Sequence, residues 1–217
     1  MDRVHRACIM SSGRGLIAGW KSAEDWRATR ASLAVGGLPE RWREAFVDFF
    51  QTRLTLRYFH PIKVLQENGT FTGEGFSILA IQCSLVEFLE STVQGIKYRY
   101  LRRGETLGPH EYASSREVFV SFLMNREPFS KEFDEPLAVD FYSGVRCGLL
   151  HEARTKGGWR VWARGPGTAV IDRGRRLVYR DNLQEALESF VLSYGTALVS
   201  DAALQEAFVR KFDDLCE

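Results

Sequence analysis

The stretch Gly75-Phe-Ser-Ile-Leu-Ala-Ile-Gln-Cys-Ser-Leu-Val-Glu-Phe-Leu-Glu-Ser-Thr-Val-Gln94 sets the fold class. Phe76, Ile78, Leu79, Ile81, Leu85, Val86, Phe88, Leu89 and Val93 recur at helical spacing and cover a wide face. A narrow stripe opposite them holds Ser77, Ala80, Ser84, Glu87 and Ser91. Those residues are small except Glu87, so a second helix fits closely there, and Glu87 then needs a partner. A long helix apolar on most of its circumference belongs at the centre of a helical domain.

Working outward, Ser22 followed by Glu24 and Asp25 predicts an N-cap and a short helix to about Val35, ended by Gly36-Gly37. Pro39 opens the next helix, with Trp42, Phe46, Phe49 and Phe50 in register; Pro61 predicts its end near Phe59. Ser114 and Glu117 form the pattern of a capping box before Val118, Phe119, Phe122 and Leu123. Pro136 starts a helix through Arg146 and His151. Asp181 and Gln184 are placed to cap another, and Leu204 to Leu215 make the last. Trp159–Ala163, Ala169–Ile171 and Leu177–Tyr179 alternate as strands joined by glycine-rich turns. The expectation is a mostly α fold: one helical bundle over residues 21–217 with a small antiparallel β insertion near 158–180. Residues 1–20 are expected to be a flexible lead-in, with Met10 as an alternative start to Met1.

The chain has 217 residues, 45% of them hydrophobic, with 15 phenylalanines and a net charge of +1, enough for a substantial core. Cys8, Cys83, Cys147 and Cys216 are scattered, which favours free thiols and a reducing compartment. No run of about 18 apolar residues marks a membrane span, and a cytoplasmic protein is expected. His5, His60 and His110 are isolated, so no metal site and no cofactor are expected. Gly73-x-Gly75 lacks the context of a phosphate loop, and Ser84 and Ser143 lack that of a nucleophile elbow.

Phe141-Tyr-Ser-Gly-Val-Arg-Cys-Gly-Leu-Leu-His-Glu-Ala-Arg154 carries the candidate chemistry. Each glycine inside a helix costs about 1 kcal/mol relative to alanine. Gly144 and Gly148, four apart, make a smooth groove for close approach of another helix. Arg146 and His151 lie about 140° apart around an ideal helix. Arginine grips phosphate with a planar fork, and histidine is the side chain suited to proton transfer near neutral pH. The bland reading is an Arg/His pair that caps carbonyls or pairs with Glu87.

Arg146-Cys-Gly-Leu-Leu-His151 fits the R-x4-H pattern of the HEPN superfamily, and with the helix 73–91 the chain resembles HEPN-like proteins over roughly residues 40 to 200. That resemblance implies a metal-independent endoribonuclease, a toxin or antiviral defence effector, acting as a homodimer and controlled by an antitoxin or defence partner. It implies that His151 moves the proton of the ribose 2′-hydroxyl and Arg146 steadies the phosphate; Glu87 and Cys147, read from the chain itself, are expected as supporting residues. Cys147 stands where nuclease members usually carry a polar residue. The alternative is a non-catalytic HEPN-like module that binds RNA, a nucleotide or a partner protein; a purely structural helical domain is the third reading.

Arg154 to Arg180 holds seven arginines and one lysine against Asp172 alone. Such a region attracts a phosphate backbone. Strand alternation puts Arg160, Trp162 and Arg164 on one face. With Arg154 and Lys156 they form a candidate RNA surface in which Trp162 stacks on an unpaired base. The alternative is a solvated hairpin whose arginines discourage edge pairing. Lys97, Arg99, Arg102 and Arg103 are a second basic patch, expected to be a solvated helix end.

Overall fold

A computed structural model describes residues 15–70 and 72–217. The expected lead-in through residue 14, with His5, Cys8 and the alternative start at Met10, lies outside the described residues. The chain is a mostly helical bundle with small β elements. Its order is β1 (Leu16–Ala18), β2 (Lys21–Ser22), α1 (Ala23–Ala31), α2 (residues 39–68), α3 (Glu74–Gln94), β3 (Lys97–Tyr98), β4 (Glu111–Tyr112), α4 (Ser115–Asn125), α5 (residues 135–152), β5 (Arg160–Trp162), β6 (Ile171–Asp172), β7 (Leu177–Tyr179), α6 (Arg180–Leu198) and α7 (Ala202–Asp214).

The central position belongs to α3, which packs against α2, α4, α6, α7, the end of α5 and β5. It is long and apolar enough to cross a membrane by length and composition, which the sequence reading did not anticipate. Here it is a core helix: Ile78, Leu79, Leu85 and Leu89 are fully buried, and so are Gln82 and Glu90. Glu90 accepts from Arg126 Nε and NH2 at 2.8 and 3.1 Å, from Ser121 at 2.8 Å and from Gln94 at 2.6 Å. A buried carboxylate is tolerated when its lone pairs are met in this way. On the other side, Trp26, Phe49, Phe50, Phe208 and Phe212 interlock with ring centroids 4.6–6.4 Å apart, tying α1, α2 and α7 together.

Several expectations are corrected. The lead-in was set too long: β1 and β2 form an antiparallel hairpin, with Ile17 and Ala18 buried. Arg53 and Arg57 of α2 donate to the Ile17 and Leu16 carbonyls and hold it down. Helix α1 stops at Ala31, short of Val35. Helix α2 continues through Pro61, and His60 keeps helical angles (φ −64°, ψ −48°). The helix widens to i→i+5 turns over Thr55–Phe59, just before the proline. A wider turn relieves the clash of the ring with the preceding turn and leaves fewer bonds to lose. At Ser114 only half of the box forms, its hydroxyl accepting from Glu117 N. The reciprocal box is at Ser22 and Asp25.

Strand β7 feeds directly into α6, so Asp181 falls inside the first turn; it accepts from Gln66 at 2.8 Å rather than capping. The β insertion is mixed, not antiparallel: β7 is central, parallel to β5 and antiparallel to β6. Leu177, Val178 and Tyr179 are all buried, as a central strand covered on both faces requires. The Gly165 backbone lies flat on the Tyr179 ring, with no room for a Cβ between them. That close approach turns the chain across the sheet instead of back along β5.

Two predictions follow from the buried charges. Arg126→Ala leaves Glu90 buried without its cation and is expected to cost about 3–5 kcal/mol; urea unfolding measures it, and Glu90→Leu with Arg126→Met should recover most of the loss. Lys211 is buried on α7 over the Phe88 ring, donating to the Ile96 carbonyl. Burial lowers its pKa from 10.5 to about 8. The unfolded chain therefore binds more protons in that interval, and this residue's contribution to stability rises with pH from about 8 toward 10.5. The wild-type minus Lys211→Met difference in unfolding free energy, measured at pH 7.5, 8.5 and 9.5, should rise with pH.

Candidate functional site

Helix α5 is built from its start. Asp134 caps it through Leu137 N, and Pro136 occupies the first turn, where no amide is needed. The helix widens over Tyr142–Cys147 and returns to α geometry over Gly148–Glu152. Single wide turns inside helices recur at functional sites.

The glycine groove takes the chain's own loop rather than a helix. Lys156 N donates to Gly144 O at 2.7 Å and Arg154 N to Gly148 O at 3.3 Å. A Cβ on Gly144 would sit 2.7 Å from Trp159, and one on Gly148 would sit 2.5 Å from Arg154 O. The buried Trp159 then stacks edge-on against Phe141 and donates to Asp140 at 3.0 Å. The two glycines thus fix the return of the chain from α5 into β5.

The Glu87 carboxylate on α3 finds its partners here. It accepts from Ser115 at 2.8 Å and Tyr112 at 3.1 Å, and faces Arg146 NH2 at 3.4 Å. Arg146 is 17% exposed, with its guanidinium over the Tyr142 ring at 5.3 Å. Cys147 is half-buried on the same wide turn as Tyr142. Burial raises the Tyr142 phenol; burial first, then the Glu87 charge, raises that of Tyr112. Both phenols stay protonated, and that of Tyr112 donates to the carboxylate. Cys83, one turn before Glu87 on α3, is a buried thiol pushed up to about 12 by burial.

His151 stands in the last turn of α5, exposed, and among the described residues no hydrogen bond or ion pair engages it. The structure therefore brings Arg146, Glu87 and Cys147 together and leaves His151 open at the helix end, with no contact to Arg146. Tyr112, Ser115 and Tyr142 complete the cluster and were not anticipated. Glu87 on its small-residue stripe was the signal that partners were required, but nothing in the spacing says that they come from β4 and α4.

The basic region is folded against acids from elsewhere. Arg154 and Lys156 both pair with Glu152, Arg164 with Glu185, Arg173 with Asp134, Arg176 with Asp140, and Arg180 with Glu74. Arg175 faces Asp172, and Arg160 donates to the Arg175 carbonyl. Most of the local excess of charge is thus met by ion pairs, local ones to Glu152 and Asp172 and tertiary ones to Glu74, Asp134, Asp140 and Glu185, while Arg160 meets only a carbonyl. Alternation is as expected: Arg160, Trp162 and Arg164 are exposed, and Trp159 is buried. Trp162 borders a small cleft of about 130 Å³ with Gly73, Phe76 and Arg180. No group of three His, Cys, Asp or Glu side chains suited to a metal occurs among the described residues.

No family model matches this chain, and neither does any curated protein or solved structure.

Gly148→Ala tests the groove. Alanine favours a helix by about 1 kcal/mol, yet here the clash with Arg154 O should destabilise the protein by about 1–3 kcal/mol. Thermal unfolding reads the sign.

Proposed function

We propose that this chain is a metal-independent endoribonuclease of HEPN type, a toxin or defence effector working on RNA as a homodimer. The observation that carries the reading is an exposed, unengaged His151 on the same helix as Arg146. The Glu87 carboxylate and the Tyr142 ring hold the guanidinium in place, so it meets a phosphate without first losing conformational freedom. His151 takes the proton from the ribose 2′-hydroxyl. The 2′-oxygen forms the new bond to phosphorus, the bond to the 5′-oxygen breaks, and that oxygen leaves with a proton. A second subunit supplies the complementary half of the site.

The non-catalytic module is the second reading. Cys147 in place of a polar residue, and an Arg146 already committed to Glu87, favour it.

Purified protein with mixed RNA in EDTA decides between them. Cleavage should give 2′,3′-cyclic phosphate ends, and DNA should be left intact. Arg146→Ala and His151→Ala should each slow cleavage ~100-fold or more while leaving the unfolding transition cooperative. Full activity in His151→Ala ends the proposed mechanism, and RNA binding without cleavage by the wild type selects the module.

A further inference from the structure

The second basic patch is not a helix end. Helix α3 ends at Gln94 with Gly95 as its cap, and the chain leaves through β3 into a mostly exposed arm, residues 99–110, that returns through β4. The base of the arm is fixed. Lys97 N donates to His110 O, Arg99 N donates to Tyr112 O, and the two short strands pair in parallel. Arg99 braces it from inside, 2.9 Å from Glu111 and 3.6 Å from Glu105. Those carboxylates also accept the arm's own amides, Glu111 from Gly108 and Glu105 from Arg102. Lys97 is held on the other side by Asp214 and Glu217.

This arrangement uses the nearby acids and leaves Arg102 and Arg103 exposed, with no carboxylate paired to either side chain among the described residues. Just before them, Tyr98 at the end of β3 and Tyr100 stand 54% and 76% exposed. Two water-facing aromatic rings followed by two unpaired guanidinium groups match an unpaired nucleotide strand: rings stack on bases, and arginines meet phosphates. The basic region of 154–180 offers the opposite arrangement, its cations already met by carboxylates or a carbonyl.

The arm also leads to the Arg146 cluster. The Tyr98 ring packs edge-on against Tyr112 at 5.6 Å, Tyr112 donates to Glu87, and Glu87 holds Arg146. We infer that the arm at Tyr98, Tyr100, Arg102 and Arg103 is the surface that binds single-stranded RNA and delivers it to the Arg146 cluster. This inference rests on the proposed action on RNA, but its binding step is independent of cleavage.

The test is fluorescence anisotropy of the full chain with a labelled 2′-O-methyl oligouridine, which has no free 2′-hydroxyl to attack. Tyr98→Ala with Tyr100→Ala should weaken binding about tenfold or more. Arg102→Glu with Arg103→Glu should reduce the slope of log affinity against log salt by about 1.4, the loss of two phosphate contacts on a single strand. Arg160→Glu with Arg164→Glu should leave affinity within about twofold of wild type, because those arginines are already engaged. All substituted residues lie at the surface, and circular dichroism checks that each variant is folded. Arm variants that bind as tightly as wild type overturn the inference. Wild type that does not bind the oligomer overturns it too, and assigns the exposed tyrosines to a protein contact. Cleavage of unmodified RNA is scored in parallel. Arm-dependent binding without cleavage upholds the arm and ends the nuclease reading; cleavage with arm-independent binding does the reverse.

Discussion

Two carboxylates in the C-terminal half of a mostly apolar helix organise this molecule. Glu87 and Glu90 lie one turn apart on α3, and neither is left to bulk water: Glu90 is fully buried and the Glu87 side chain is 18% exposed. An ion taken from water costs several kcal/mol unless charge and hydrogen bonds replace the lost hydration. Ser121 of α4 and Arg126, the residue that caps its C-terminus, meet Glu90, while Arg146 of α5 with Tyr112 and Ser115 meets Glu87. Burial of apolar surface is non-directional and would allow α4 and α5 to slide along α3. The two ion pairs fix where each sits, and so fix where Arg146 and the helix end at His151 stand.

The same geometry separates two kinds of arginine. In the segment 154–180, arginines are returned to acids on α3, α5, α6 and the turn before α5, and the β insertion is held to the bundle by those pairs. Exposed pairs of this kind contribute little to stability, roughly 0–1 kcal/mol each. They nevertheless cancel the field that a phosphate would feel. In the arm, Glu105 and Glu111 turn inward to Arg99 and to backbone amides. The net charge of a stretch is therefore a poor guide to its attraction for nucleic acid; the residual charge after folding is what acts at a distance.

Helix α5 shows how unfavourable local features can be maintained by packing. Two glycines and a wide turn weaken it as an isolated helix. Gly144 and Gly148 open their carbonyls to Lys156 and Arg154, and the space where side chains would be is filled by the returning loop and Trp159. Phe141, Phe133, Phe119 and Trp159 then close one continuous aromatic layer under the site. The cost of the glycines is offset by a buried tryptophan and two backbone bonds.

Periodicity alone determined the helical class, the central helix at Gly75–Gln94 and the positions of α6 and α7, because an apolar face repeating every three to four residues has few other ways to be buried. It also marked Glu87 as a group needing a partner, and Arg146 as a candidate for it. Tertiary structure decided what local pattern does not encode. Pro61 stays inside a helix because the turn before it widens, and β7 becomes central because Gly165 crosses over Tyr179. The glycine groove receives a loop, since the loop's own amides seek the Gly144 and Gly148 carbonyls. Which arginines remain unpaired depends on carboxylates far along the chain, 106 positions away for Arg180 and Glu74. Charges that distant in sequence are brought together by the fold, and no spacing rule along the chain records the distances between them.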